Sequence, residues 1–402
     1  MLFKKKERVG SVNAASVAGD FAYLPQSAVY FDSACQSLRP QQVIDAANEY
    51  YQRFNSCGER VKYDWGLEVD KRVERTRADI LKFLKLSPKK YFVSFTLNTT
   101  YGLNLILSQL KPDGLAGIIT SDIEHNSVFL STMAFSRQTG LPRTVITRND
   151  DGSVSLDDLG DMPRIVVLNA VSNIDGRQLK NVAGVAKHVH KHGGLLIIDA
   201  AQAMSHYHEL LAGVDADAIC FSSHKMYGPS LGAIVAKKSL VQHLQPSVLG
   251  GGMVDDVTMD DFVLSSSNDE HIHTIFEPGL QAYGEIIGLG AAVRWLSKAS
   301  EDDHVLDYAG QLLDFLKSAN DFHVLNNEVT PTIAFYHDKY DAHLLAEAMS
   351  DQGVMARSGH FCAHYYLAHV KGYPPLVRLS LGLHNRQSDV DKFIEAMKGI
   401  AK

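Results

Sequence analysis

Short runs of β-branched and aliphatic residues alternate along this chain with longer stretches whose apolar positions recur at helical spacing. The runs at 28–31, 91–95, 117–121, 144–147, 165–169, 195–199, 218–222 and 232–236 predict strands. Between them, the stretches at 42–54, 67–84, 98–110 and 182–192 predict helices, the last of them stopped by Gly193-Gly194. This alternation argues for a mainly parallel sheet covered by helices. After about residue 290 the texture changes. Helices at 285–297, 305–319, 342–351 and 388–400 surround strands at 332–336 and 377–381, which predicts a smaller α+β unit. The chain therefore divides into an N-terminal segment (1–27), a large α/β domain (28–290) and a small C-terminal domain (291–402) that carries the loop around Cys362.

Bulk properties narrow the function classes. At 402 residues there is enough chain for two cores, and 45% hydrophobic with 21% charged residues is ordinary for a soluble globular protein. A net charge of −7, from 39 basic against 46 acidic residues, argues against a general nucleic-acid surface. The four cysteines, at 35, 57, 220 and 362, have neither CxxC nor metal-like spacing. They suit reduced thiols in a cytoplasmic protein better than disulfides. There is no run of about 18 apolar residues, so no membrane span is expected. The cluster Lys4-Lys5-Lys6 lacks a following apolar stretch and reads as a solvated tail rather than a secretory signal.

Chemistry concentrates where the predicted strands end. Ile197-Ile198-Asp199 and Cys220-Phe221-Ser222-Ser223-His224-Lys225 are apolar runs that each deliver polar groups at the C-terminal end, the arrangement by which an open α/β sheet builds a ligand crevice. Asp199 facing Lys225 reads either as a buried ion pair or as the pyridinium partner and Schiff-base lysine of a pyridoxal phosphate site. Thr99 and Thr100 head a helix, where they cap it or cradle a phosphate. His125 follows the strand at 117–121, as a loop histidine, a stacking ring or an acid/base. Asn173 precedes Gly176 as a turn residue or a hydrogen-bonding amide. Ser222 and His224 offer donors to a phosphate. Cys362 stands in Arg357-Ser358-Gly359-His360-Phe361-Cys362-Ala363-His364, a glycine-containing stretch read as a loop, where a soft nucleophile has one arginine and two histidines near it. A metal set of His360, Cys362 and His364 ranks below that reading, and no metal is expected. Arg378, within an alternating strand, is either a carboxylate clamp or a surface arginine on an edge strand.

Together these stretches resemble the fold-type I pyridoxal phosphate enzymes of the class V aminotransferase group, and within it the cysteine desulfurases and selenocysteine lyases. The likeness runs through Tyr30-Phe31-Asp32, Thr99-Thr100, Glu124-His125, Ser172-Asn173, Asp199-Ala200-Ala201-Gln202, Ser223-His224-Lys225-Met226-Tyr227-Gly228-Pro229, Gly250-Gly251-Gly252, 286–292, 357–363 and Arg378. It implies a seven-stranded, mainly parallel sheet and pyridoxal 5′-phosphate as cofactor. Lys225 would carry the imine and Asp199 would pair with the pyridine nitrogen. His125 would stack on the ring, with Asn173 and Gln202 near the phenolic oxygen. Thr99, Thr100, Ser222 and His224 would hold the phosphate. Arg378, with Asn173 and Arg357, would hold the substrate, and Cys362 would be the nucleophile.

The activity implied is removal of sulfur from L-cysteine to give L-alanine and a Cys362 persulfide. Selenocysteine lyase or another class V aminotransferase or C–S lyase is the alternative. A homodimer, a sulfur-acceptor protein and a cytoplasmic location are implied too, with no nucleic acid and no membrane. Three stretches depart from the family pattern. Ser33-Ala34-Cys35 stands where Asn-Ala-Ala is usual, no Arg-Gly-x-His segment occurs near 55–65, and Glu277-Pro278-Gly279-Leu280 stands where Glu-Ala-Gly-Thr is expected. In the family that threonine reaches the phosphate of the other subunit, and Leu280 cannot hydrogen-bond.

Overall fold

A computed structural model describes residues 17, 19–59, 61–299, 304–319 and 321–400; the Lys4-Lys5-Lys6 cluster lies outside them. The large sheet is built from β2 (Tyr91–Thr96), β3 (Ile118–Ser121), β4 (Arg143–Ile146), β5 (Ile165–Asn169), β6 (Leu195–Asp199), β7 (Ala218–Ser222) and β8 (Gly232–Lys237). Its seven strands run in the order β2-β8-β7-β6-β5-β3-β4. Only β8 is antiparallel to its neighbours. Every residue of β5, β6 and β7 is buried, as expected for a parallel sheet covered on both faces. That is why these strands read as continuous apolar runs, and their limits are those predicted.

Helices pack on both faces: α1 (Gln41–Arg53), α2 (Asp64–Phe83), α3 (Thr99–Gln109), α4 (Asn126–Thr139) and α5 (Val182–Lys191). The stop after α5 is Gly193, whose left-handed φ of 72° is free of penalty only for glycine. Arg77 of α2 forks onto Glu277, with both N–O distances 2.8 Å and both side chains buried. Glu277 also accepts from Phe95 N–H at 2.6 Å, and Arg77 also donates to the Val93 carbonyl. This buried pair fixes α2 and the 277–280 stretch to the end of β2.

After β8 comes an antiparallel hairpin of β9 (Val254–Val257) and β10 (Phe262–Leu264), and the C-terminal unit follows α6 (Tyr283–Ala299) and α7 (His304–Ser318). It is an antiparallel sheet of order β11-β12-β15-β14, made of β11 (Phe322–Val324), β12 (Thr332–His337), β14 (Arg357–Gly359) and β15 (Leu376–Ser380), with α8 (Ala342–Asp351) and α9 (Gln387–Ile400). Two expectations need correcting. The run at 28–31 yields only β1 (Val29–Tyr30), which is not in the large sheet. It pairs in parallel with β13 (Val354–Met355), and Phe31 packs edge-on against Phe393 of α9 with ring centroids 6.2 Å apart. The apolar side chains that suggested a sheet strand are thus buried on the C-terminal unit. Residues 357–359, read as loop, form edge strand β14, which is held by backbone pairing to β15 and needs no apolar periodicity.

Candidate active site

β2, β3, β5, β6 and β7 bring their C-terminal ends to one edge of the large sheet, and the polar residues there come from the last strand positions and the turns just past them. Asp199 closes β6, opposite Asn169 of β5 and Cys220 of β7. Its carboxylate accepts from Ala201 N–H at 2.9 Å and from the Ser127 hydroxyl at 3.2 Å. Burial pushes its pKa above the usual carboxylate range. Lys225 stands three residues past β7. Its amine is held below the ordinary lysine value by burial, against the pull of Asp199. Among the described residues no ion pair joins Lys225 to Asp199, so the simple salt-bridge reading does not describe this fold.

The lysine turn is fixed from outside. Tyr227, fully buried with a left-handed φ of 67°, donates its backbone N–H to Ser37 Oγ at 2.6 Å and accepts at its hydroxyl from Leu383 N–H at 2.9 Å. Ser37 N–H donates to the His224 carbonyl at 2.8 Å. A Cβ on Gly228 would lie 2.0 Å from Ser223 Oγ, so only glycine lets the chain turn away there.

His125 precedes α4, and its Nδ1 accepts from Ser127 N–H at 3.0 Å. Burial first, then Lys225 and Arg378, push its pKa down to about 3, so the ring is neutral. Asn98 caps α3 by accepting from Tyr101 N–H at 2.9 Å. Thr99 N–H donates to Ser222 Oγ at 2.9 Å, and the two hydroxyls lie 2.7 Å apart. Gly232 of β8 permits this junction, because a Cβ there would approach Asn98 Cα to 2.5 Å. His224, pushed down to about 4 by burial and by Lys225 and Arg39, is neutral as well.

The C-terminal unit supplies the facing wall. Arg378 lies on β15, an internal strand, and is buried, which excludes the edge-strand surface arginine. It donates to the Asn173 carbonyl at 2.9 Å and to Asp32 at 3.3 Å, and its guanidinium lies 4.9 Å from the Phe361 ring centre. Its Nε, like Asn173 Oδ1, is buried without a partner. Asn173 donates through Nδ2 to the Phe361 carbonyl at 2.7 Å, and Asn126 N–H donates to the Cys362 carbonyl at 2.6 Å. These bonds hold Phe361 and Cys362 at left-handed φ of 49° and 57°, a strain of about 1–2 kcal/mol each, with the thiol exposed. Gln202 donates to the Ala34 carbonyl at 2.7 Å. Arg357 is forked onto Asp32 at 2.8–3.1 Å.

Thr99, Thr100, His125, Asn173, Asp199, Gln202, Ser222, His224, Lys225, Arg357, Cys362 and Arg378 all line one cavity of about 300 Å³. Sequence reasoning gave no role to three neighbours. Ser127 links His125 to Asp199; its place near the start of α4 was the available signal. Asp32 joins both arginines, and Cys35 lines the cavity. A buried carboxylate without a cation, hydroxyls at a helix N-terminus, a neutral ring and a depressed amine suit a flat group with an anionic tail and a protonated ring nitrogen. The two unpartnered buried atoms, Arg378 Nε and Asn173 Oδ1, suit a carboxylate and an N–H donor beside it.

A family model described as aminotransferase class-V matches residues 29–393. A probable cysteine desulfurase of Haemophilus influenzae is 30% identical over 92% of this chain and 85% of its own length. A cysteine desulfurase of Escherichia coli is 28% identical over 92% and 93%. Among solved structures, the cysteine desulfurase CsdA of Escherichia coli superposes with a TM-score of 0.87 at 25% identity, covering 98% of this chain and 99% of that one.

Proposed function

The chain belongs to the class-V aminotransferase family, and from that premise we propose that it is a pyridoxal-phosphate-dependent cysteine desulfurase, converting L-cysteine to L-alanine with a persulfide left on Cys362. The observation that carries this reading is the meeting of Lys225, buried Asp199 and Cys362 around one cavity. Pyridoxal phosphate, when bound, supplies an aldehyde for imine exchange and a conjugated ring that takes up an electron pair from Cα. Asp199 would hold the proton on the ring nitrogen, His125 would lie against the ring, and Gln202 and Asn173 would meet its oxygen. Thr99, Thr100, Ser222 and His224 would hold the phosphate.

The rest is the work of this chain. Arg378, with Asn173 beside it, binds the substrate carboxylate through its free Nε. Lys225, an amine whose basicity is lowered by burial, would hold the cofactor and, when free, would take the Cα proton. Cys362, carried on an exposed loop, attacks the substrate sulfur as thiolate. A new S–S bond forms, the C–S bond breaks with its electron pair left on the carbon skeleton, and that carbon is protonated to alanine.

Residues 28–290 and 291–402 are the domains this reading assigns, with β1 of the first docked on the second. A homodimer follows from it as well, with Leu280, 76% exposed in the single chain, on the shared face. A sulfur-acceptor protein and a cytoplasmic site of action complete the proposal; no helix among the described residues is long and apolar enough to cross a membrane. Product analysis tests it. Cysteine should yield alanine with sulfur retained on the enzyme, whereas pyruvate with free sulfide would indicate elimination. Cys362→Ser should lose alanine release from cysteine, and release at the wild-type rate would sink the persulfide step.

A further inference from the structure

Cys35 takes no part in the desulfuration chemistry, yet its half-buried thiol lines the same cavity as Cys362 and Lys225. Arg357 Nη2 donates to Cys35 Sγ at 2.9 Å while its Nε and Nη2 grip Asp32. Asp32 Oδ1 also meets Arg378 Nη2 at 3.3 Å, and Arg378 lies over the ring of Phe361, the residue before Cys362. Contacts therefore run from Cys35 through Arg357, Asp32 and Arg378 to Phe361, the chain neighbour of Cys362, and both thiols face one cavity. The same cavity is lined by Arg378 and Asn173, whose Nε and Oδ1 are buried without a partner and suit a substrate carboxylate and N–H donor. The other two cysteines lack this setting: Cys57 is exposed and away from the cavity lining, and Cys220 is buried within β7.

We propose that Cys35 is a second sulfur-carrying thiol, which takes the outer sulfur of the Cys362 persulfide and frees Cys362 for another turnover; this rests on the desulfurase reading. Cys35, having given its proton to solvent, attacks the terminal sulfur of Cys362. A Cys35 Sγ–S bond forms and the Cys362 Sγ–S bond breaks, its electron pair leaving with Cys362 as thiolate. No oxidant or reductant enters, because one persulfide is exchanged for another. Arg357 fixes the position of the attacking sulfur, which gives an arginine in a motif read as substrate-binding a different task. With no acceptor present, each chain then stores two sulfur atoms in place of one.

The test is peptide mass mapping of the cofactor-loaded enzyme after excess cysteine without acceptor, alongside the alanine burst. The expected result is an added sulfur on both the Cys362 and Cys35 peptides, none on the Cys57 peptide, and a burst of about two alanines per chain. Cys35→Ser should carry sulfur on Cys362 alone and halve the burst to about one. Cys362→Ser should leave Cys35 unmodified. Sulfur on Cys362 but not Cys35 overturns the proposal, and so does equal labelling of Cys57, which would signify exchange through solution. Labelling of Cys35 in Cys362→Ser overturns the direction of transfer. If neither thiol is labelled and no alanine forms, the desulfurase reading itself has failed, and the absent alanine tells that failure apart.

Discussion

The two walls of the cavity are built on opposite principles. The wall at the sheet edge is dry and locked: Asp199 is buried under two hydrogen bonds, His125 and His224 are neutral, and the lysine turn is bolted by Ser37 and Leu383. The wall from the C-terminal unit is wet at its tip, with Cys362 exposed at a left-handed φ and Arg357 exposed at the rim. Electrons need a fixed, low-dielectric setting to be stabilised, because fixed dipoles act most strongly there. Sulfur has to leave. The part that hands it on therefore belongs on a segment that solvent and a partner can reach.

The contrast can be broken from either side. The largest effect is expected from Lys225→Ala, on the locked wall: a fall in kcat of at least about 10³, since proton transfer and imine exchange are lost together. Steady-state alanine release checks it, and activity within tenfold of wild type would remove Lys225 from the chemistry.

Acid should act through the buried imidazoles of both units. Burial pushes His206, in the short helix after β6, and His384, just past β15, down to about 4, and His224 likewise, while His125 falls to about 3. Between those values and the ordinary 6.5 these rings bind fewer protons folded than unfolded, so stability is full above about 6.5 and drains away as pH falls towards 4. For buried His384 alone the loss is on the order of 3 kcal/mol. Glu124, pushed up to about 7 by burial, works in the opposite sense, losing its contribution as pH rises through that value. Asp199, also raised by burial, acts in the same sense as Glu124. Four histidines against these two carboxylates leave a net fall in Tm below pH 6.5 in thermal melts, flattened in His384→Gln.

On the wet wall, Arg378→Lys should raise KM for cysteine about tenfold, because a lysine cannot make the forked contact to a carboxylate, with a smaller change in kcat. The smallest effect sharpens the comparison. Ser127→Ala removes one hydrogen bond from Asp199, worth about 1 kcal/mol, and should lower kcat roughly fivefold with KM unmoved. Equal changes in both constants would mean that Ser127 serves binding and not the sheet wall.

How much of this could be read from the residues depended on burial. Strands 165–169, 195–199 and 218–222 came out with correct limits because both of their faces are buried and nothing interrupts the apolar run. β1, β13 and β14, of two or three residues, carry no period; β1 and β13 find each other across 325 residues, and β14 is set only by backbone pairing to β15. The cavity-lining residues were legible where they end strands. Asp32, Ser127 and the Arg77–Glu277 pair were not, because their meaning lies in contacts across the chain: Arg77 sits 200 residues from its carboxylate. Arg378 could be read two ways until β14 was seen to cover the side of β15 that would otherwise be an edge.

The pairing of β1 with β13 has a consequence for synthesis. Asp32 meets partners at Arg357 and Arg378, made 325 and 346 residues after it. The large sheet is complete once residue 237 has left the ribosome, but the segment around β1 has nowhere to dock until β13 and β15 follow. At about 5–20 residues per second that interval lasts roughly 7–30 seconds. During it the nascent chain has a finished floor and no roof, and it is vulnerable around β1 rather than at its growing end. Limited proteolysis of ribosome-stalled chains should cut near residues 29–39 until the last strand emerges, while β5 to β7 are already protected.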